Sequence, residues 1–208
     1  MAKALRLTQI ERKEISDSKM LEAAVDLIVE RGAGQATLKE VGERAGYSRG
    51  LAGYRFGNKV GLFDFVLRSV GEEWLAELTR VTEGKCGYEA IAAALDAHIQ
   101  FCEDAPKHVE AFYRLWFESL APDSQLKSVI LGIHRRRRAD VIGWIEQGIA
   151  GGALAPTTDA ELIADHFTAS VSGIVYHWMS DPDNLNEMRS LHNGLKLVMA
   201  NMLVVQGE

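Results

Sequence analysis

The chain has 208 residues, 47% of them hydrophobic, and a formal net charge of −6, which is enough apolar material for one large domain or two smaller ones. Four prolines, the lack of any Val/Ile/Thr-rich alternating run and the lack of any apolar stretch near the ~18 residues of a membrane span exclude a β-rich or membrane-spanning architecture. An all-α chain of about nine helices is expected. The opening MAKALRLTQIERKE has no signal-like apolar segment, and Cys86 and Cys102 form no CxxC pair, so a cytoplasmic setting with reduced thiols is expected.

Charge is unevenly spread. Residues 1–59 hold 11 Lys+Arg and 8 Asp+Glu, a net of +3, which leaves 12 and 21, a net of −9, for the remainder. A basic head on an acidic body points to a polyanion that meets only the head.

In chain order, Thr8-Gln9-Ile10-Glu11 has the pattern of a capping box opening the first helix, with Ser16 or Asp17 as alternative starts. Gly32 and Gly34 stop that helix after Arg31. Thr37-Leu38-Lys39-Glu40 is a second capping box, starting a short helix that runs to Ala45. Gly46 ends it, and Ser48 is placed to cap a third helix from Arg49 to about Tyr54. Two short helices joined by a tight glycine turn make a helix-turn-helix. Asn58 caps a fourth helix, and longer helices follow over Tyr88–Phe101, from Pro106, from about Asp123 to Ala150, over Asp159–Met179 and from Leu185 to Val205. The expected division is a three-helix head, residues 1–59, and a larger helical body, residues 60–208, sharing the fourth helix rather than a flexible linker.

The stretch Ala23–Leu62, AAVDLIVERGAGQATLKEVGERAGYSRGLAGYRFGNKVGL, resembles the TetR family of bacterial one-component transcriptional regulators. The resemblance is carried by Gly32, Thr37, Ala45-Gly46, Ser48, Gly50, Phe56 and Lys59 at fixed spacing, over about a fifth of the chain. Many members have Tyr three residues before that Phe, where this chain has Gly53 followed by Tyr54. The aromatic phosphate contact is therefore assigned to Tyr54.

The chemistry of these residues agrees. The second helix of a helix-turn-helix enters the major groove with its N-terminus toward the base edges. Ser48 there can bond phosphate, Arg49 can clamp a guanine or a phosphate, Gly50 leaves room for close approach, and Leu51 or Ala52 can touch a thymine methyl. Thr37 caps its helix and can also hold phosphate. Arg55 adds a cation, and Lys59 in a first helical turn opposes the helix dipole, a cost that a phosphate beside it would offset.

In the body, the resemblance implies a small-molecule pocket. His98, Phe101, Phe112, Tyr113, Trp116, His134 and Tyr176 are expected to line it, as aromatic walls with a few polar groups. In His134–Arg138, HRRRR, spacing sets Arg138 nearer the buried side and Arg136 and Arg137 outward; the run reads as a solvated face, or as one arginine anchoring an anionic ligand. His98 and Cys102 have metal-ligand spacing, but two ligands do not make a site. No metal, cofactor or catalytic motif is present, and no enzyme activity is expected.

Phe167, Ser170 and Ile174 on the penultimate helix, with Leu191, Leu195, Val198, Met199 and Met202 on the last, are expected to form a homodimer as a four-helix bundle. A two-fold dimer suits a palindromic duplex operator. The expected function is a sequence-specific DNA-binding regulator, a repressor released by a small-molecule effector. The alternative is a helical protein-interaction module without DNA function, which would have no need for Arg49-Gly50 and Lys59 at these positions.

Overall fold

The first helix, α1 (Gln9–Arg31), opens on the reciprocal cap expected at its start. The Thr8 hydroxyl accepts from the Glu11 N–H, and the Glu11 carboxylate accepts from the Thr8 N–H at 2.6 Å. The computed structural model describes residues 8–204, apart from the side chains of Arg49 and Val204. Among these residues every regular element is helical. After a 3-10 turn, Ala33–Gln35, come α2 (Leu38–Arg44), α3 (Arg49–Phe56), α4 (Lys59–Thr82), α5 (Gly87–Asp104), α6 (Pro106–Glu118), α7 (Lys127–Ala150), α8 (Ala160–Ser180) and α9 (Leu185–Val204). The end expected at Val205 lies outside the described residues. No described helix is long and apolar enough to cross a membrane.

The expected start of α7 near Asp123 is corrected to Lys127. Residues 121–126 are used in turns, where the Ser124 N–H reaches the Ala121 carbonyl and the Leu126 N–H the Ser124 hydroxyl.

The chain forms two compact units. The first holds the residues up to Val70 together with Glu110–Leu126, so its share of α4 extends past the boundary expected at residue 59. Its α1 packs on α2, and α2 on α3, around fully buried Met20, Ala24, Ile28, Val41, Ala52 and Leu62. Phe112, Tyr113 and Trp116 of α6 also belong to it; they are buried, with Tyr113 and Trp116 stacked at 5.4 Å between centres and Phe112 edge-on to Tyr113.

The second unit comprises Gly71–Val109 and the residues from Lys127 on. Here α5 packs on α9 and α7, and α8 on α7 and α9. The antiparallel α5–α9 pair is cross-linked by Asp96–Lys196 and by a two-bond Glu103–Arg189 ion pair at 2.5 and 2.9 Å. α7 and α8 are joined by Arg138, which bonds both Glu161 and Asp165. Gly87 and Gly148 permit a close crossing of α5 and α7: a Cβ on Gly148 would lie 3.1 Å from the Gly87 Cα.

Candidate DNA-binding head and ligand cavity

In the head, α2 begins at Thr37, whose hydroxyl accepts from the Glu40 N–H at 3.3 Å. The returning half of the expected capping box is absent. The Glu40 carboxylate instead accepts from the Thr37 hydroxyl at 2.7 Å and from Arg31 at 2.8 Å. The Thr37 hydrogen bond and the Arg31 charge hold the Glu40 carboxyl below its ordinary value.

The turn between α2 and α3 depends on two glycines for different reasons. Gly46 adopts φ +79°, in the left-handed region. Gly42 admits close packing, since a Cβ there would lie 3.1 Å from the Ser48 carbonyl oxygen and 3.5 Å from the Ala52 Cβ. Ala52 is fully buried and so is unavailable for the thymine contact expected of it. Ser48 has the extended backbone of an N-cap, but its side chain makes no capping bond.

Ion pairs brace the pair of helices on α1. Arg44 bonds both carboxylate oxygens of Glu30 at 2.7 and 2.8 Å. Arg55 bonds Asp17 at 2.5 Å and the Ser16 hydroxyl at 2.9 Å. This corrects the expectation for Arg55: its guanidinium is turned inward by a carboxylate 38 residues earlier. Lys59, expected beside a phosphate, also has local partners. Its ammonium donates to the Gly34 carbonyl at 2.5 Å and sits over the Phe63 ring, so local partners offset its unfavourable place at a helix start without a phosphate.

Thr37, Ser48, Gly50 and Tyr54 remain exposed, and Leu51 is half-buried. Tyr54 is 91% exposed, which no packing role explains. Lys39, exposed in the first turn of α2, is a further cation that the motif does not single out. Arg49 opens α3, and its side chain lies outside the described residues.

Within the second unit, a cavity opens between α4, α5, α7 and α8. Of the residues expected at a pocket, His98 and His134 line it. Phe101 is half-buried against Trp74, and Tyr176 is exposed. Phe112, Tyr113 and Trp116 do not line it; they are buried, and from Glu110 on α6 belongs to the first unit. Trp74, Trp144 and Phe167 supply the aromatic walls instead. His134, Arg137, Val141 and Trp144 recur at helical spacing along one face of α7, a signal present in the sequence. Arg137, expected to face outward, is half-buried on this wall.

His98 and His192 form a buried pair, Nδ1 to Nε2 at 2.9 Å. Burial above all, then the His192 and Arg137 charges, hold His98 well below the ordinary 6.5. Burial likewise lowers His192, although its bond to the Met188 carbonyl works the other way. Below about pH 6.5 the unfolded chain therefore binds protons that the folded one refuses, and stability is lost as pH falls. Each ring contributes up to about 1.4 kcal/mol per pH unit. Denaturant titrations at pH 7.5 and 5.5 should show this drop, and a His98→Phe/His192→Leu double variant should show a smaller one. A pH-independent stability would mean that the pair is not neutral in the fold. Cys102 lies 3.8 Å from the same His98 Nδ1, and burial pushes its thiol up to about 12. No group of three or more metal-ligating side chains occurs among the described residues.

The expected dimer residues divide. Ile174, Leu195 and Met199 are buried inside their own unit, Ser170 and Met202 are half-buried, and Phe167 lines the cavity. Leu191 and Val198 point outward. α9 carries two apolar faces. Met188, Leu195, Met199 and Leu203 fill the interior, while Leu191, Gly194, Leu197 and Val198 are exposed. On α8, Leu162, Ala169, Gly173 and Tyr176 are exposed at helical spacing.

Residues 20–66 match the model of the bacterial regulatory proteins, tetR family. The chain is 23% identical over 198 residues to YfiR of Bacillus subtilis, an uncharacterized HTH-type transcriptional regulator, covering 93% of this chain and 94% of that one. Among solved structures, it is similar to SmeT bound to triclosan, with TM-score 0.70 and 22% identity over 89% of this chain and 90% of that one; SmeT is the repressor of a Stenotrophomonas maltophilia multidrug efflux pump. It is also similar to FadR of Bacillus subtilis in complex with stearoyl-CoA, with TM-score 0.74 and 18% identity over 90% and 97% of the two chains.

Proposed function

We propose that this chain, whose residues 20–66 match the tetR family of bacterial regulatory proteins and which resembles helix-turn-helix transcriptional regulators along most of its length, is a cytoplasmic repressor that binds a palindromic duplex operator as a homodimer and leaves it when a small molecule occupies the second unit. The observation that carries the DNA part is the outward side of the α2–α3 pair. It presents Thr37, Lys39, Ser48, Gly50 and Tyr54, groups suited to phosphate and to close backbone approach. Arg49, first in α3, stands where recognition helices reach base edges.

The exposed apolar sides of α8 and α9 support the homodimer, whose two-fold symmetry would match a palindrome. The effector part draws on the cavity and on two proteins of the same fold, one in complex with triclosan and the other with stearoyl-CoA. A ligand shifts the equilibrium only by favouring the conformation that fits DNA less well.

Titration of a selected operator at several salt concentrations tests the head. Tyr54→Ala should weaken binding about tenfold, and similarly for any sequence, as loss of a phosphate contact would. Lys39→Ala should lower the salt slope by about one unit, and Lys59→Ala by less, since the Gly34 carbonyl already holds that ammonium. Wild-type affinity in Tyr54→Ala would remove α3 from the interface.

A further inference from the structure

His192 is fully buried in α9, and its Nδ1 lies 2.8 Å from the Met188 carbonyl oxygen one turn earlier. A carbonyl only accepts, so Nδ1 carries a proton. Burial disfavours the imidazolium, which leaves Nε2 of His192 as a lone pair. Nδ1 of His98, 2.9 Å away, must therefore be the donor. The remaining nitrogen of His98, Nε2, is an acceptor, and His98 is part of the cavity wall.

Two hydroxyls on the α8 wall are committed in the same sense. Thr168 donates to the Ala164 carbonyl at 2.8 Å, and Ser172 donates to the Thr168 carbonyl at 3.0 Å. Each has used its single proton and keeps only lone pairs for the cavity. Arg137 and Asp140 both line the space, and Asp140 pairs with Arg136 at 3.5 Å. Trp74, Trp144 and Phe167 supply flat apolar surface.

The cavity has a volume of about 40 Å³. This is well below the roughly 150 Å³ that takes a benzene ring, so even a one-ring guest must displace wall side chains.

We infer that the effector is a one-ring aromatic molecule that donates a hydrogen bond, such as a phenol, held through its O–H by Nε2 of His98. The α8 hydroxyl oxygens stand ready for a second donor group. This rests on the effector reading above and specifies its chemistry. A molecule that offers only acceptors leaves the His98 lone pair buried against lone pairs, and such mismatches discriminate strongly.

The test uses the full-length protein without DNA and follows phenol, anisole and benzoate by calorimetry and by tryptophan fluorescence, because Trp74 and Trp144 face the cavity. Phenol should bind at least tenfold more tightly than either of the others. His98→Phe should bring the phenol-to-anisole ratio to within about twofold of unity. Should that variant not fold, nitrogen-15 spectra of the wild-type histidines decide the same point. Both rings should be protonated on Nδ1, with the His98 Nε2 signal shifting as phenol is added. Anisole or benzoate matching phenol, no binding of any probe, or a His98 protonated on Nε2 would each overturn the inference. Those outcomes leave the regulator reading standing, since operator binding and its release by other ligands are measured separately.

Discussion

Gly61→Ala is expected to abolish specific DNA binding and to destabilise the head by about 3 kcal/mol, the upper end for overpacking by one methyl. A Cβ at Gly61 would lie 2.1 Å from the Phe56 carbonyl oxygen and 3.2 Å from its carbonyl carbon. These are backbone atoms, so no rotamer relieves the clash. The neighbours are also fixed: the Gly61 N–H donates to Asn58 Oδ1 at 2.9 Å, and the Gly57 N–H donates to the Gly53 carbonyl at 2.9 Å. Gly57 itself sits at φ +71°. Relief must therefore come from moving the end of α3, the helix proposed to enter the groove. Thermal unfolding and operator titration measure both effects. Gly53→Ala is the control with the opposite sign for stability. Nothing lies within 4 Å of a Cβ there, and alanine favours a helix by about 1 kcal/mol over glycine.

Val198→Glu is expected to yield monomers and to weaken binding to a full operator by a hundredfold or more, the scale lost when two linked half-sites are no longer engaged together. Val198 is 51% exposed and its neighbour Leu197 67%, on a face that also presents Leu191. A carboxylate in the middle of an apolar interface loses hydration without gaining a partner. Leu195→Glu serves as the contrast. At 6% exposure that side chain is internal, so its variant should unfold rather than dissociate. Light scattering with circular dichroism separates the two results. A Val198→Glu protein that stays dimeric would place the interface elsewhere.

These outcomes also mark what the residue pattern could convey. Local signals were readable because their partners lie within four residues. The Thr8–Glu11 box, the Thr37 cap, the Asn58 cap and the left-handed Gly46 all occur where short-range chemistry demands them. The motif proposed to meet DNA lies in the same short stretch of two helices and a glycine turn. What stayed hidden depends on distant partners. Arg55 finds Asp17 across 38 residues, Lys59 finds Gly34 across 25, and His98 finds His192 across 94.

Periodicity also tells which residues share a face but not which neighbour that face meets. The aromatic side of α6 has the composition of a pocket lining, yet from Glu110 on that helix belongs to the first unit and its rings do not line the cavity. α9 has apolar residues on two sides, and the richer one, with Leu195 and Met199, turned out to be internal. Glycine has the same ambiguity. Gly50 and Gly53 leave open space, whereas Gly42 and Gly61 are required by atoms of the protein itself.

The central claim, that this chain reads duplex DNA through α2 and α3 as a symmetric dimer, is tested most directly by selecting binders from a library of random duplexes with the purified full-length protein. The account predicts enrichment of one two-fold-symmetric sequence, with half-sites separated by about one helical turn or a multiple of it, and loss of that enrichment in Gly61→Ala. A library that emerges without any enriched sequence, or with one that Gly61→Ala enriches equally well, would contradict it.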